Sequence, residues 1–265
     1  MNTLAHTFRL QLCYCIILYI NPALASPQDI GEGCLYANKQ NQLSQGTSFS
    51  AFEEVSKKDR IYIRSKLDFL LDKLNLSLTP TLTFQDSGGF RVIAACNEID
   101  SGSTLAVGPD GLDKLKDISA QALDVVLAHE LAHLIQFSIS SELKRRVCNG
   151  TFGEVKTIEL LADLAAGYIM LTIFQRRNPT DLILTISSLA EYEFSNKLHH
   201  GMVNERVSAF NFGQLLAFSG KPLDMKKLMN NKKVFLELVS GPPANLGSLS
   251  SYNNYYKDAM ERIYK

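Results

Sequence analysis

Between Ser56 and Asn75 apolar residues recur at helical spacing, at Ile61, Ile63, Leu67, Leu70, Leu71 and Leu74. The spacing predicts an amphipathic helix there, with Pro80 closing the segment. Beyond the proline the pattern shortens. Thr81–Phe84 and Phe90–Ala95 read as strands around a Gly88-Gly89 turn signal, and Ser103–Val107 reads as a third strand stopped by Gly108-Pro109. Together they predict a small antiparallel sheet. The remainder is mainly helical. Ser119 is an N-cap candidate for a helix from Ala120 to about Phe137, followed by a polar loop carrying Cys148, Asn149 and Gly150. A second long helix is expected from about Val155 to Arg176, with others near 180–196, 203–218 and 222–230. Leu160–Phe174 is strongly apolar, with Asp163 its only charge. It is too short to span a bilayer, so it reads as a buried core helix.

The N-terminus carries a different pattern. Arg9 is the only charged residue before Asp29, and an apolar run from Leu10 to Ile20 is broken only by Gln11. Pro22 and the small-residue site Ala23-Leu24-Ala25 follow. This is the order of a secretory signal peptide cleaved near Ala25, and the run is about half of the roughly 20 residues a spanning helix needs. Residues 1–25 are therefore expected to be removed, giving an exported (periplasmic or secreted) protein with no stable membrane span. Residues 26–48, rich in Gln, Gly, Ser and Asn, form an irregular lead-in. No linker or repeat divides 49–265, which reads as one α+β domain.

The chain of 265 residues has 27 basic and 27 acidic side chains and is 46% hydrophobic. Such a balance gives no electrostatic footprint for a nucleic-acid binder. Removal of the signal takes Cys13 and Cys15 with it and leaves Cys34, Cys96 and Cys148. At most one internal disulfide can form in that exported chain, from a pair the sequence does not choose. The absence of a C-x-x-C argues against a thiolate metal site.

The chemistry concentrates in Val126-Leu127-Ala128-His129-Glu130-Leu131-Ala132-His133-Leu134-Ile135. On a helix, residues i and i+4 lie about 40° apart around the axis, so His129 and His133 can share one zinc ion. Glu130 lies beside them as a base for a zinc-polarised water. A catalytic zinc needs a third protein ligand and one open position. Glu159 is the best third ligand, on a helix returning antiparallel to the first. Asp163, one turn further along the same face, is placed to accept the remaining ring N–H of a histidine ligand and so orient it.

His129-Glu130-x-x-His133 followed by Glu159-x-x-x-Asp163 is similar to the gluzincin metallopeptidases. More narrowly, the segments AHELAHLIQ and ELLADLAAGY resemble a bacterial family of neutral zinc metallopeptidases. A looser third match is His200-Gly201 through Arg206, with Glu205 where that family carries Gln. The resemblance implies a zincin-like fold and one Zn2+ held by His129, His133 and Glu159. It makes Glu130 the general base and Asp163 the orienting acid, and gives His200 or His199 the stabilisation of a tetrahedral oxyanion. Arg206, near a helix start, could equally be a structural ion pair, and Tyr168 is either a further donor or core. In zincins a strand edge beside the active-site helix binds extended peptide, and Ser103–Val107 is the strand placed to do so.

The expectation is an exported zinc metallopeptidase acting on a peptide or protein substrate. Two alternatives stay open. One is a zinc-binding protein without proteolytic activity, a pseudoprotease or cell-envelope binding module, against which the intact Glu130 argues. The other is a cell-wall amidase.

Overall fold

The computed structural model describes residues 35–37, 55–84, 90–94, 103–119, 121–148, 155–175, 184–186, 201–240 and 249–264. The fold is mainly helical with one small sheet. Helix α1, Lys57–Lys73, starts at Ser56, whose hydroxyl accepts the Asp59 N–H at 3.1 Å. It buries Ile63, Leu67 and Leu70, while Ile61 faces outward. Asn75, at φ 51°, follows the helix in the left-handed conformation common just past a helix end.

Strands β1 (Leu35–Ala37), β2 (Thr81–Phe84), β3 (Phe90–Ala94) and β4 (Thr104–Val107) form a four-stranded sheet in the order β1-β3-β4-β2. β1 is drawn from the stretch expected to be irregular. The sheet is mixed rather than antiparallel. β3 and β4 are antiparallel, but β1 runs parallel to β3 and β2 parallel to β4. β2 and β3 therefore do not form the hairpin that Gly88-Gly89 suggested, and those two glycines lie outside the described residues. β4 explains the difference. Leu105, Ala106 and Val107 are all fully buried, so the strand is covered on both faces and takes an interior position. It pairs on both sides, so the substrate-binding edge expected at Ser103–Val107 is not an edge. Among the described residues the free edges belong to β1 and β2.

Helix α2, Pro109–Ile118, was not anticipated. Pro109 starts a helix instead of merely ending a strand, because its fixed φ and missing N–H suit the first helical turn. Ser119 then closes α2, and its hydroxyl accepts the Gln121 N–H at 3.2 Å. Helix α3 accordingly begins at Ala122 and runs to Ile139. It is long and apolar enough to cross a membrane, but 83% of it is buried inside the fold, the signature of a central core helix. Helix α4, Ser141–Cys148, replaces the expected polar loop. Leu143 and Val147, one turn apart, bury a narrow stripe while Glu142 and Arg145 face outward. The cysteine question lies outside the described side chains.

Helix α5, Val155–Thr172, and helix α6, Val203–Phe218, follow the predicted segments closely. The predicted 180–196 helix lies almost wholly outside the described residues. α7 (Met225–Asn230), α8 (Lys232–Val239) and α9 (Leu249–Tyr264) are the last elements among the described residues. Two apolar clusters result. One joins α1, the sheet, α2 and α3; the other joins α5 and α6 with α7 to α9. α3, α5 and α6 contribute to both.

The α5–α6 contact is made backbone to backbone. A Cβ on Gly167 would overlap the Phe210 carbonyl, and one on Gly213 would overlap the Leu164 carbonyl. Glycine at both positions is what lets the helices approach so closely.

Candidate metal centre

The seam between α3 and α5 gathers the charged residues of the first two motifs. His129, Glu130 and His133 come from α3, Glu159 and Asp163 from α5, and none is more than 1% exposed. Nε2 of His133 lies 3.1 Å from Nε2 of His129, which lies 3.2 Å from Glu159 Oε2, and Glu159 Oε1 is 3.5 Å from His133 Nε2. The ligand atoms of these three residues lie within 4.8 Å of one another. The expected antiparallel return of α5 along α3 accounts for this convergence.

The far side of each ring is also engaged. Nδ1 of His133 lies 2.9 Å from Gln136 Oε1, and the Gln136 amide nitrogen donates to the Ile158 carbonyl at 2.9 Å. Since Nε2 of Gln136 must face a carbonyl, its oxygen faces the ring, and Nδ1 of His133 must be the donor. Nδ1 of His129 lies 2.9 Å from Asp163 Oδ1. Arg206, at the start of α6, forks onto the same carboxylate, Nε donating to Oδ2 at 2.7 Å and Nη2 to Oδ1 at 2.9 Å. Arg206 is 1% exposed and its Nη2 is 3.9 Å from Glu159 Oε2. The ion-pair reading of Arg206 therefore describes its contact, and the pair belongs to the site. Asp163 lies against the His129 ring, where its spacing placed it.

The electrostatics follow from this arrangement. Burial opposes ionisation of Asp163, but the Arg206 charge and the His129 hydrogen bond hold its carboxyl below the ordinary range. Burial likewise opposes the charge on Glu159, which the facing His133 and His129 hold well below its usual value. Burial pulls His129 down, but Asp163 and Glu159 outweigh it, and the ring is pushed up to about 9. A proton is therefore strongly held where ring nitrogens and a carboxylate converge.

The residues fit a divalent ion. With both Nδ1 atoms turned to acceptors, the two Nε2 atoms present lone pairs to each other and to a carboxylate, which repel without a cation between them. Glu159 Oε1 is buried and makes no hydrogen bond. In a tetrahedral zinc site with ligand bonds of 2.0–2.1 Å, ligand atoms stand roughly 3.3 Å apart, close to the three separations seen. With both histidines neutral, as ion binding requires, Glu130, Glu159 and Asp163 against Arg206 leave two negative charges in the group, and buried charge requires compensation.

His199 and His200 lie outside the described residues. Gly201, immediately after them, has φ 114° and is packed against Leu160, and so turns the chain into α6 where only glycine is comfortable. Glu205 caps α6 by accepting the Met202 N–H at 3.0 Å and pairs with Lys156 of α5. Tyr168 packs, partly buried, on the second apolar cluster. Sequence reasoning missed Gln136. The available signal was a polar side chain three residues beyond His133 in an otherwise apolar turn.

No protein-family profile, curated protein or solved structure matches the chain.

Proposed function

We propose that the chain is a zinc-dependent metallopeptidase of the gluzincin type with a zincin-like fold. The observation that carries this reading is the triangle of His129 Nε2, His133 Nε2 and a Glu159 carboxylate oxygen, with Glu130 beside it on α3. His129, His133 and Glu159 hold the ion. Zinc bound there supplies a Lewis acid and brings the pKa of a water towards neutrality. With the ion in place, Glu130 would take a proton from the attacking water and pass one to the departing amine. Asp163 and Gln136 keep the two imidazoles turned with Nε2 to the ion. Export with cleavage near Ala25 belongs to the same proposal, and a mass-spectrometric N-terminus of the mature protein tests it.

The test is metal analysis and peptide hydrolysis on the wild type and Glu130→Gln. The expected result is one zinc per chain in both, with hydrolysis of a mixed-peptide substrate falling about 10²–10⁴-fold in the variant. A wild type that neither carries nor takes up stoichiometric zinc sinks the reading.

One observation favours a second reading. Glu130 is only 1% exposed and both histidines are sealed from solvent, which suits a zinc-binding protein that does not turn over peptides. Stoichiometric zinc without hydrolysis of peptides or of a cell-wall fragment would favour it. Hydrolysis of the fragment alone would favour the amidase.

A further inference from the structure

Gln136 is fully buried on α3, one turn after His133, between the apolar residues Ile135 and Phe137. Burying a primary amide is costly unless its donor and acceptor are both used. Here both are. Its oxygen meets His133 Nδ1 at 2.9 Å, and its nitrogen donates to the carbonyl of Ile158 at 2.9 Å. Ile158 immediately precedes Glu159 on α5. One amide therefore bridges a metal-ligating side chain on one helix and the backbone that carries another ligand on the next.

We infer that Gln136 is a positioning residue for the metal centre, resting on the zinc reading above. It fixes His133 as the Nδ1–H tautomer and holds the first turn of α5 at the distance that presents Glu159. The choice of amide is specific. A carboxylate at this position would turn an acceptor towards the Ile158 carbonyl and add a third uncompensated negative charge to the group. A methionine would fill the same space and make neither bond. The two imidazoles are thus oriented by different means, His129 by a carboxylate that Arg206 neutralises, His133 by a neutral amide that the main chain orients. This keeps the net charge of the group matched to one divalent cation.

The experiment compares zinc affinity, by competition with a chromophoric chelator between pH 6 and 9, for full-length wild type, Gln136→Met, Gln136→Glu and Lys116→Ala. Gln136→Met should bind zinc about 10–100-fold more weakly, the usual scale for losing an outer partner of a ligand histidine. Gln136→Glu, which keeps an acceptor for Nδ1 but loses the donor to the Ile158 carbonyl, should recover only part of that loss. Lys116→Ala, on the surface between α1 and α2, should bind as the wild type does. Nitrogen NMR of the zinc-loaded wild type should show His133 protonated at Nδ1 with Nε2 on the metal, and this holds as a test even where a variant does not fold. Unchanged affinity in Gln136→Met, or a His133 bound through Nδ1, overturns the inference. A wild type that binds no zinc overturns the functional reading instead.

Discussion

Along the α5–α6 seam two helices touch main chain to main chain, with Gly167 under Phe210 and Gly213 under Leu164, whereas β4 meets its neighbours through hydrogen-bonded strands and buried aliphatic side chains. The first contact has almost no give, since a single methyl would collide with a carbonyl. The second can rearrange by rotamer changes. All the charged groups of the centre hang from the rigid seam and from α3 beside it, and Arg206 reaches Asp163 at 2.7 Å only because α6 lies so close to α5. Stability and metal binding should therefore be coupled on the helical side and separable on the sheet side.

Arg206→Met gives the largest expected effect. It removes one partner of a buried pair and leaves Asp163 uncompensated, a loss of about 3–5 kcal/mol. Zinc affinity should fall as well, because Asp163 no longer holds His129 in place. Leu105→Ala, at the centre of the sheet, should cost a comparable ~2–5 kcal/mol through the cavity it leaves, yet bind zinc normally at temperatures where it remains folded. Denaturant unfolding together with chelator competition separates the two. Equal losses of zinc affinity in both would end the distinction drawn between the sides.

Gly213→Ala is next. Overpacking of this kind costs about 1–3 kcal/mol, and the helices must separate to admit the methyl. Because the displaced backbone carries the centre, zinc affinity should fall more than the stability loss alone would produce. The same measurements on Gly167→Ala should agree in direction.

The asymmetry also governs what was legible in the sequence. Helices α1, α3, α5 and α6 were readable because their apolar spacing and the Ser56 cap are local signals. The convergence of His129, His133 and Glu159 was readable because the two histidines stand four apart on one helix and Glu159 lies on the helix that returns beside it. The sheet order was not. Strand pairing depends on which strand is apolar on both faces, and Leu105-Ala106-Val107 wins the interior by burial that no local turn signal records. α2 and α4 were missed because Gly108-Pro109 reads equally as a stop or a start, and α4 buries only two residues in a polar stretch. The glycine seam and Gln136 depend on partners far away in the chain, Phe210 and Leu164 for the glycines and Ile158 for the amide, so their roles emerge only once the helices are placed.

A smaller effect comes from pH. In the metal-free protein His129 titrates at about 9 rather than the usual 6.5. A raised value in the folded state means that the group's stabilisation is fully present below about 6.5 and is lost as pH climbs to about 9. Chelator-treated protein should therefore melt at progressively lower temperature across that window. Zinc competes with the proton on the ring, so the interval between metal-loaded and metal-free melting temperatures should widen over the same range. Scanning calorimetry at both ends of the window reads this directly, and a metal-free melting temperature that rises from pH 6.5 to 9 would contradict it.

The smallest effect lies on the surface of the sheet side, where Lys116 of α2 reaches Asp59 of α1 and Asp113, each at 3.2 Å. The lysine side chain is half exposed, water screens the pairs, and ordering a long side chain opposes the gain. Lys116→Ala should therefore cost under about 1 kcal/mol, with most of that removed by added salt. Zinc affinity should not change, because the pair links α1 to α2 and touches neither α3 nor α5. The contrast with Arg206 is then between two cations that each bridge separate helices. One is exposed and dispensable. The other is buried, where its loss strands a carboxylate and disturbs the ligand beside it. A Lys116→Ala variant whose zinc binding fell with its stability would mean that the two sides are mechanically one.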